Sequence, residues 1–292
     1  MEIAPLDVLS DLSRMDTVMM IGDTDTGKTT MAHTVARESV ANGRTVAIVD
    51  GDVGHPSNGP PGCVSLTILD STEDIEELPP PSQLHFVGHT DPSRLALQQV
   101  VATVSLVTKA RELADLVLLD TTGVISGIAG QTLRYHETEL VRPDRIVALH
   151  RGGELEPVIG MLTRFFDSEI VDVQTPAELK PSTLEQRDNH RRECFARAFA
   201  PPLATWKVRP TVFAPTLPAG LDLSRIDGVL VGIQDGVGAC LGVGRLEYGD
   251  DSLRVRTNRG EGMSGLRLGS LRIDPDDFQT TPLNLHEVMF GL

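Results

Sequence analysis

The stretch GDTDTGKTT, Gly22 to Thr30, sets Lys28 and Thr29 directly behind a second glycine in the order G-x-x-x-x-G-K-S/T. An apolar run, Val18 to Ile21, precedes it and helix-forming residues follow from Met31. In that setting the glycines turn the chain so that successive backbone N–H groups face one concavity, a nest for anions. The pattern predicts a nucleoside triphosphate held by Gly22, Asp23, Thr24, Asp25, Thr26, Gly27, Lys28, Thr29 and Thr30. Lys28 would reach the β- and γ-phosphates, and the Thr29 hydroxyl would ligate Mg²⁺.

Moving a phosphate requires in-line positioning, a metal, positive charge and a place for the acceptor's proton. DGDVGH sets Asp50 and Asp52 just past a second apolar run, at a spacing that points both carboxylates to one side if the strand continues. One would hold metal-bound water, and Asp52 is the expected base for an acceptor hydroxyl. Asp120 closes the run LVLLD and competes with Asp50 for the metal role; it could equally cap the turn into TTG. Arg187, Arg191 and Arg192 lie on a helical stretch where guanidinium forks suit phosphate oxygens. Their other reading is a solvated face pairing with Glu185, Asp188 or Glu193.

The elements that must carry these groups alternate. Expected strands are Val18–Ile21, Thr45–Val49, Leu84–Val87, Leu116–Leu119, Ile146–Leu149 and Glu169–Val173. Expected helices are Met31–Ala41, one capped by Asp91 with Pro92 at its first position, Ala129–Leu140 and Glu154–Phe166. GHPSNGPPGCV reads as loop. The alternation predicts an α/β fold, a P-loop NTPase doubly wound parallel sheet with its ligand at the C-terminal strand ends. Residues 180–200 read as an arginine-bearing amphipathic helix and PPLATWKVRP as a joint. The expected division is therefore a phosphate-loop domain over 1–205 and a small β-rich C-terminal domain over 206–292.

Composition bounds the function. The net charge is −15, with 41 acidic against 26 basic residues, and only Lys28, Lys109, Lys180 and Lys207 are lysines. That balance fits a salt-adapted archaeal protein or an ordinary acidic protein of a GC-rich genome, and it argues against broad nucleic-acid binding while allowing a local basic channel. Cys63, Cys194 and Cys240 are scattered and form no metal-spaced pair. No apolar run is long enough to span a membrane, and MEIAPLDVLSDLSRMD lacks the order of a signal peptide, so a cytoplasmic location is expected.

The series GDTDTGKTT, DGDVGH…GPPGCVSL, DTTGVISG, VRPDRIVALHRGGELEP and CFARAFA resembles the polynucleotide 5′-hydroxyl kinase family over residues 17–200. That family includes the RNA kinase subunit of the messenger-RNA 3′-end and tRNA-splicing machinery, ribosomal-RNA-processing kinases and shorter archaeal relatives. LVGIQDGVGACLGVGRLEY and LRLGSLRI are similar to its small C-terminal domain. The resemblance implies an ATP- and Mg²⁺-dependent kinase that phosphorylates the 5′-hydroxyl end of RNA, with DNA as a second substrate, in RNA processing or repair. It implies that Lys28 and Thr29 bind ATP phosphates and Mg²⁺, and that Asp52 activates the hydroxyl. Thr121, Thr122 and Gly123 would form a clasp on the phosphate loop, and Arg187 with Arg192 would be the paired lid arginines. Arg191 is an additional or substitute candidate.

Two residues depart from the family's pattern: His55, near the acceptor nucleotide, replaces the usual Gln, and Val124 replaces a common Trp. The absence of an N-K-x-D motif favours ATP over GTP. Two other functions compete: a non-catalytic ATP-binding adaptor of an RNA-processing complex, and a GTPase-type assembly factor. The C-terminal domain is expected either to dock a protein partner or to extend the nucleic-acid channel.

Overall fold

In a computed structural model of the chain, residues 16–290 are described. Residues 1–15, which carry most of the opening segment read above, lie outside them. Strands β1 (Thr17–Gly22), β2 (Val46–Asp50), β3 (Cys63–Leu69), β4 (Gln83–Phe86), β5 (Leu116–Asp120), β6 (Arg145–His150) and β7 (Glu169–Gln174) interleave with helices. The helices are α1 (Lys28–Ala41), α2 (Glu73–Glu76), α3 (Ala96–Ala110), α4 (Gly127–Val141), α5 (Glu156–Phe165) and α6 (Leu184–Ala198). After them come β8 (Ala204–Lys207), β9 (Phe213–Ala214), β10 (Val229–Gln234), β11 (Cys240–Gly249), β12 (Ser252–Thr257), β13 (Gly265–Ile273), β14 (Thr280–Pro282) and α7 (Leu285–Phe290).

Strands β2, β5, β1, β6 and β7 lie side by side and parallel. Because successive side chains alternate across a strand, Val18 and Met20 of β1 join Met31, Ala32 and Val35 of α1 on one face. Met19 and Ile21 join Ala102 and Leu106 of α3 on the other. Burial on both faces explains why β1, β2 and β5 are near-continuous apolar runs, whereas the edge strand β7 is partly exposed. No helix among the described residues is long and apolar enough to cross a membrane.

The expected parallel strands are present, and antiparallel strands join them at one edge. Residues 63–69, partly assigned to loop, form β3, which runs antiparallel to β2, and β4 runs antiparallel to β3. The connection from Gly51 to Gly62 contains no helix, so it cannot make the crossover a parallel neighbour needs. The expected helix after Asp91 opens as a tight 3₁₀ turn, Pro92–Leu95, with the Asp91 carboxylate accepting from the Ser93 N–H before α3 begins.

The C-terminal strands extend the same sheet. β11 meets β4 at the single pair Cys240 and Leu84, and β10 and β13 continue the order beyond it. Phe86 fills the joint: a Cβ at Gly232 would stand 2.4 Å from its ring, so only glycine lets β10 pass. Phe195 and Phe199, at the end of α6, bury in the same cluster with Leu230 and Val243. The arginine-bearing helix is thus rooted in the joint between the two groups of strands.

Candidate active site

The phosphate loop leaves β1 at Gly22 and enters α1 through Gly27, whose φ of 96° requires glycine. Gly22 is equally constrained, since a Cβ there would lie 2.5 Å from the Leu149 carbonyl oxygen. Lys28 is buried, and its Nζ donates to the Asp23 carbonyl at 2.8 Å. Burial lowers the Lys28 pKa, against the pull of Asp120, Asp52 and Asp23. Thr26 donates to the Asp23 carbonyl at 2.8 Å, and Thr175 donates to the Thr26 carbonyl at 3.0 Å. Thr30 is exposed on the first turn of α1.

Asp120 ends β5 directly beside this loop. Its Oδ2 accepts from the Thr29 hydroxyl at 2.5 Å, while its buried Oδ1 has no partner among the described residues. Burial pushes its pKa up to about 6, opposed by Lys28 and the Thr29 hydroxyl. A hydroxyl and an under-coordinated buried carboxylate fit the two protein contacts that a nucleotide-borne Mg²⁺ typically uses. No cluster of three or more His, Cys, Asp or Glu side chains suited to a metal occurs among the described residues. The metal would therefore depend on the phosphates for the rest of its shell.

Asp50 sits differently. Its Oδ1 accepts from the Asp52 N–H at 2.9 Å, and its Oδ2 accepts from the Ser57 N–H at 2.6 Å, the Ser57 hydroxyl at 2.7 Å and the Asn58 N–H at 3.3 Å. Both oxygens are committed to shaping the loop that follows β2. Burial, then the neighbouring Asp120 charge, pushes its pKa up to about 7.

Asp52 stands on that shaped loop, with Oδ1 accepting from the N–H groups of Gly54 and His55, each at 3.0 Å. Its Oδ2 accepts no hydrogen bond among the described residues. His55 faces Asp52 at 4.0 Å through Nδ1 and meets Arg191 at 3.3 Å through Nε2. Burial lowers the His55 pKa, only partly offset by Asp52.

The helix α6 lies across both loops. A Thr183 capping box starts it, and Arg187 pairs with the Asp25 carboxylate of the phosphate loop at 2.9 Å. Burial alone would raise the Asp25 pKa, but the Ser182 N–H and Arg187 hold it below the ordinary value. One turn on, Arg191 donates to the Gly54 carbonyl at 3.2 Å. Arg192 is turned toward Asp188, at 2.9 Å, and Asp277, at 3.9 Å. Positions four apart share a helix face and positions five apart do not, which separates Arg191 from Arg192.

Thr121 donates to the Met20 carbonyl at 2.7 Å, Thr122 is buried, and Gly123 lies against Thr24. Val124 is half-buried beyond it. Two residues not singled out in the sequence also hold the loops. Arg151 donates to the Thr24 carbonyl at 3.3 Å and to the Asp25 carbonyl. Gln99, wholly buried in α3, donates to the Gly51 carbonyl at 2.8 Å. Arg151 stands just past the end of β6, the position in a parallel sheet where ligand contacts concentrate, and that signal was available. Arg151, Gln174, Thr175, Pro176 and Ala177 line a cavity of about 480 Å³ beside the phosphate loop.

A left-handed glycine, a buried lysine and a threonine–aspartate pair at the C-terminal edge of a parallel sheet define a phosphate-loop nucleotide-binding fold. Within that class the chain belongs to the mRNA cleavage and polyadenylation factor CLP1 P-loop family, whose pattern matches residues 22–200. A polyribonucleotide 5′-hydroxyl-kinase of Pyrococcus horikoshii is 36% identical over 192 residues, 65% of this chain and 52% of its own length. One from Pyrococcus furiosus is 35% identical over 189 residues, again 52% of its length. The chain spans about half the length of these relatives. A Thermococcus kodakarensis protein of the same name is 28% identical over 325 aligned residues, 92% of this chain and 91% of its own. A solved structure of Clp1p with Pcf11p shares the fold at a TM-score of 0.69 and 13% identity, covering 92% of this chain and 79% of that one.

Proposed function

We propose that this chain is an ATP-dependent polynucleotide 5′-hydroxyl kinase acting on RNA, with residues 1–205 carrying the chemistry. The observation that best supports this reading is the bridge made by α6, which touches the phosphate loop through Arg187 and the Asp52 loop through Arg191. Arginines that join a phosphate site to a second, carboxylate-bearing loop are what a transfer from a nucleotide to an acceptor at that loop would use.

In the proposed reaction the acceptor's 5′-oxygen attacks the γ-phosphorus of ATP, the bond to the β–γ bridging oxygen breaks, and ADP leaves. The free Oδ2 of Asp52 takes the proton, while the two backbone N–H groups on Oδ1 fix the carboxylate's direction. Lys28 and Arg187 exchange their present acceptors for phosphate oxygens and balance the charge of the transferring group, with Arg191 beside the acceptor. Mg²⁺, held from the protein side by Thr29 and Asp120, supplies further charge neutralisation when bound. Asp50 acts as the organiser of the acceptor loop, and the cavity beside Arg151 and Thr175 takes the nucleoside end of ATP. His55 and Arg191 flank the terminal nucleotide, and Arg192 holds α6 through Asp188.

The test is transfer of label from γ-labelled ATP to matched RNA and DNA oligonucleotides with 5′-hydroxyl ends, beside Asp52→Asn. Label on the 5′ end of RNA that falls 10²- to 10⁴-fold in the variant is the expected result, that being the usual size of general-base catalysis. Nucleotide binding without transfer to any acceptor would indicate an adaptor. Guanine preference with acceptor-free hydrolysis would indicate a GTPase.

A further inference from the structure

A groove of about 670 Å³ runs away from the acceptor loop, between that loop, the end of α6 and the start of β11. Its near wall is Asn58, whose N–H rests on the same Asp50 carboxylate that receives the Asp52 N–H. One buried side chain therefore ties the base and the groove mouth together. Along α6, Arg191 meets Gly54, His190 meets the Pro56 carbonyl at 3.1 Å, and Cys194 meets the same carbonyl at 3.7 Å. The next turn brings Arg197 onto the groove. Six residues of helix advance about 9 Å from Arg191, far enough to face phosphates beyond the first one.

The groove's charge is unusual for this chain. Acidic residues outnumber basic ones 41 to 26 in the chain, yet the groove's lining carries two arginines against a single carboxylate. Arg197 and Arg259, both lining the groove, have no carboxylate partner among the described residues. Arg197 donates instead to the Cys194 sulfur at 3.0 Å, and burial raises that thiol's pKa and so keeps it neutral. Arg259 is placed by its backbone, whose N–H donates to the Thr257 hydroxyl at 3.0 Å, and by Gly242, where a Cβ would stand 2.7 Å from the arginine's Cγ. Glu77, on the opposite wall, is the groove's one carboxylate.

We propose that this groove is the track for the single-stranded RNA that follows the 5′ end, with Arg197 and Arg259 contacting its backbone phosphates. This rests on the kinase reading, and it gives the C-terminal strands a part in substrate binding, since Arg259 lies just past β12. Two guanidinium forks without carboxylate partners, set along a groove that leaves the Asp52 loop, suit phosphates on a chain whose end would lie at Asp52. The groove lacks the aromatic platforms of a base reader, so it holds the strand by charge and is indifferent to sequence.

The experiment compares wild type with Arg197→Gln/Arg259→Gln on a 5′-hydroxyl dinucleotide, too short to fill the groove, and on a 12-mer of single-stranded RNA. Fluorescence anisotropy across a salt series measures 12-mer binding directly. The expected result is an unchanged kcat/KM for the dinucleotide and a KM and Kd for the 12-mer raised roughly tenfold. The slope of log K against log salt should become shallower by about 1.4, since each lost phosphate contact removes about 0.7 for a single strand. Gly242→Ala, which displaces the Arg259 stem while keeping its charge, should weaken 12-mer binding in the same direction. Unchanged 12-mer affinity and slope would overturn the track, as would equal damage to both acceptors. If no acceptor is phosphorylated the kinase reading fails on its own, and the anisotropy series still decides the groove.

Discussion

Replacing Gly123 by alanine isolates the contact between the clasp and the phosphate loop. A Cβ at Gly123 would stand 2.4 Å from the Thr24 hydroxyl, 2.7 Å from the Thr24 nitrogen and 2.8 Å from its Cα. The hydroxyl can rotate away, but the two backbone atoms cannot move without moving the loop. Restoring contacts to ordinary van der Waals separation needs a displacement of roughly 0.6 to 1 Å, and overpacking of this kind costs about 1–3 kcal/mol. Thr24 lies between Gly22 and Gly27, so the displacement falls on the N–H groups that would face the triphosphate. A misplacement near 1 Å at a transfer site costs on the order of 10²-fold in rate.

The assay is steady-state kinetics with ATP as the varied substrate, with thermal unfolding measured in parallel. Gly123→Ala should lower kcat/KM for ATP by about two orders of magnitude while remaining folded. Gly160→Ala is the matched control: it lies in α5, has no atom within 4 Å of the new Cβ, and should gain up to about 1 kcal/mol from helix propensity with no kinetic effect. A Gly123→Ala protein with wild-type kcat/KM would refute the clasp contact as a determinant of loop position.

Three other outcomes follow from buried charge and from the metal site. Arg134 and Glu137 form an ion pair at 2.7 Å, both fully buried in α4, where burial opposes each charge. Glu137→Gln should cost about 3–5 kcal/mol in urea unfolding because it strands the guanidinium, whereas Arg134→Met/Glu137→Leu should recover most of that; an equally unstable double variant would contradict this account. Asp50, with its pKa raised to about 7, binds its proton more tightly folded than unfolded. Its ionisation therefore subtracts stability as pH rises from about 4 to 7, by on the order of a few kcal/mol, and no more is lost above that window. Wild type should lose more stability than Asp50→Asn between pH 5 and pH 8, and equal slopes would exclude Asp50 as the source. Thr29→Ala should raise the Mg²⁺ concentration needed for half-maximal transfer, and an unchanged requirement would remove Thr29 from the metal's shell.

The phosphate loop and Asp120 were legible because the first is a contiguous motif and the second ends an unbroken apolar run, both local signals. Strand β3 was missed because its residues follow a Pro/Gly stretch and its pairing with β2 is set by the length of that stretch, which periodicity does not encode. The joint between β4 and β11 rests on one residue pair and on Phe86 passing beneath Gly232, contacts between residues more than a hundred positions apart. The buried Arg134–Glu137 pair carries no signal in the sequence, where charges three apart on a helix look the same whether they face water or the core. That Arg187 and Arg191 reach the two loops while Arg192 turns to Asp188 was within reach of helical geometry: positions four apart share a face and positions five apart do not.

The two ends of α6 are held by forces of different kind. Near its N-terminus Arg187 pairs with Asp25, both partly exposed, a contact worth about 1 kcal/mol or less and one that phosphate oxygens can replace. Near its C-terminus Phe195 and Phe199 are buried among Phe86, Leu230 and Val243, each worth roughly 1.5–3 kcal/mol. A helix so anchored has its weaker hold at Arg187 and its stronger hold near Arg197. In the proposed reaction, charge that would follow a transferring phosphate stands on the weakly held end, and charge that would hold a strand of RNA stands on the firmly held end. The division follows from where Phe195 and Phe199 fall, the first within the fifteen residues of α6 that carry the arginines and the second capping them.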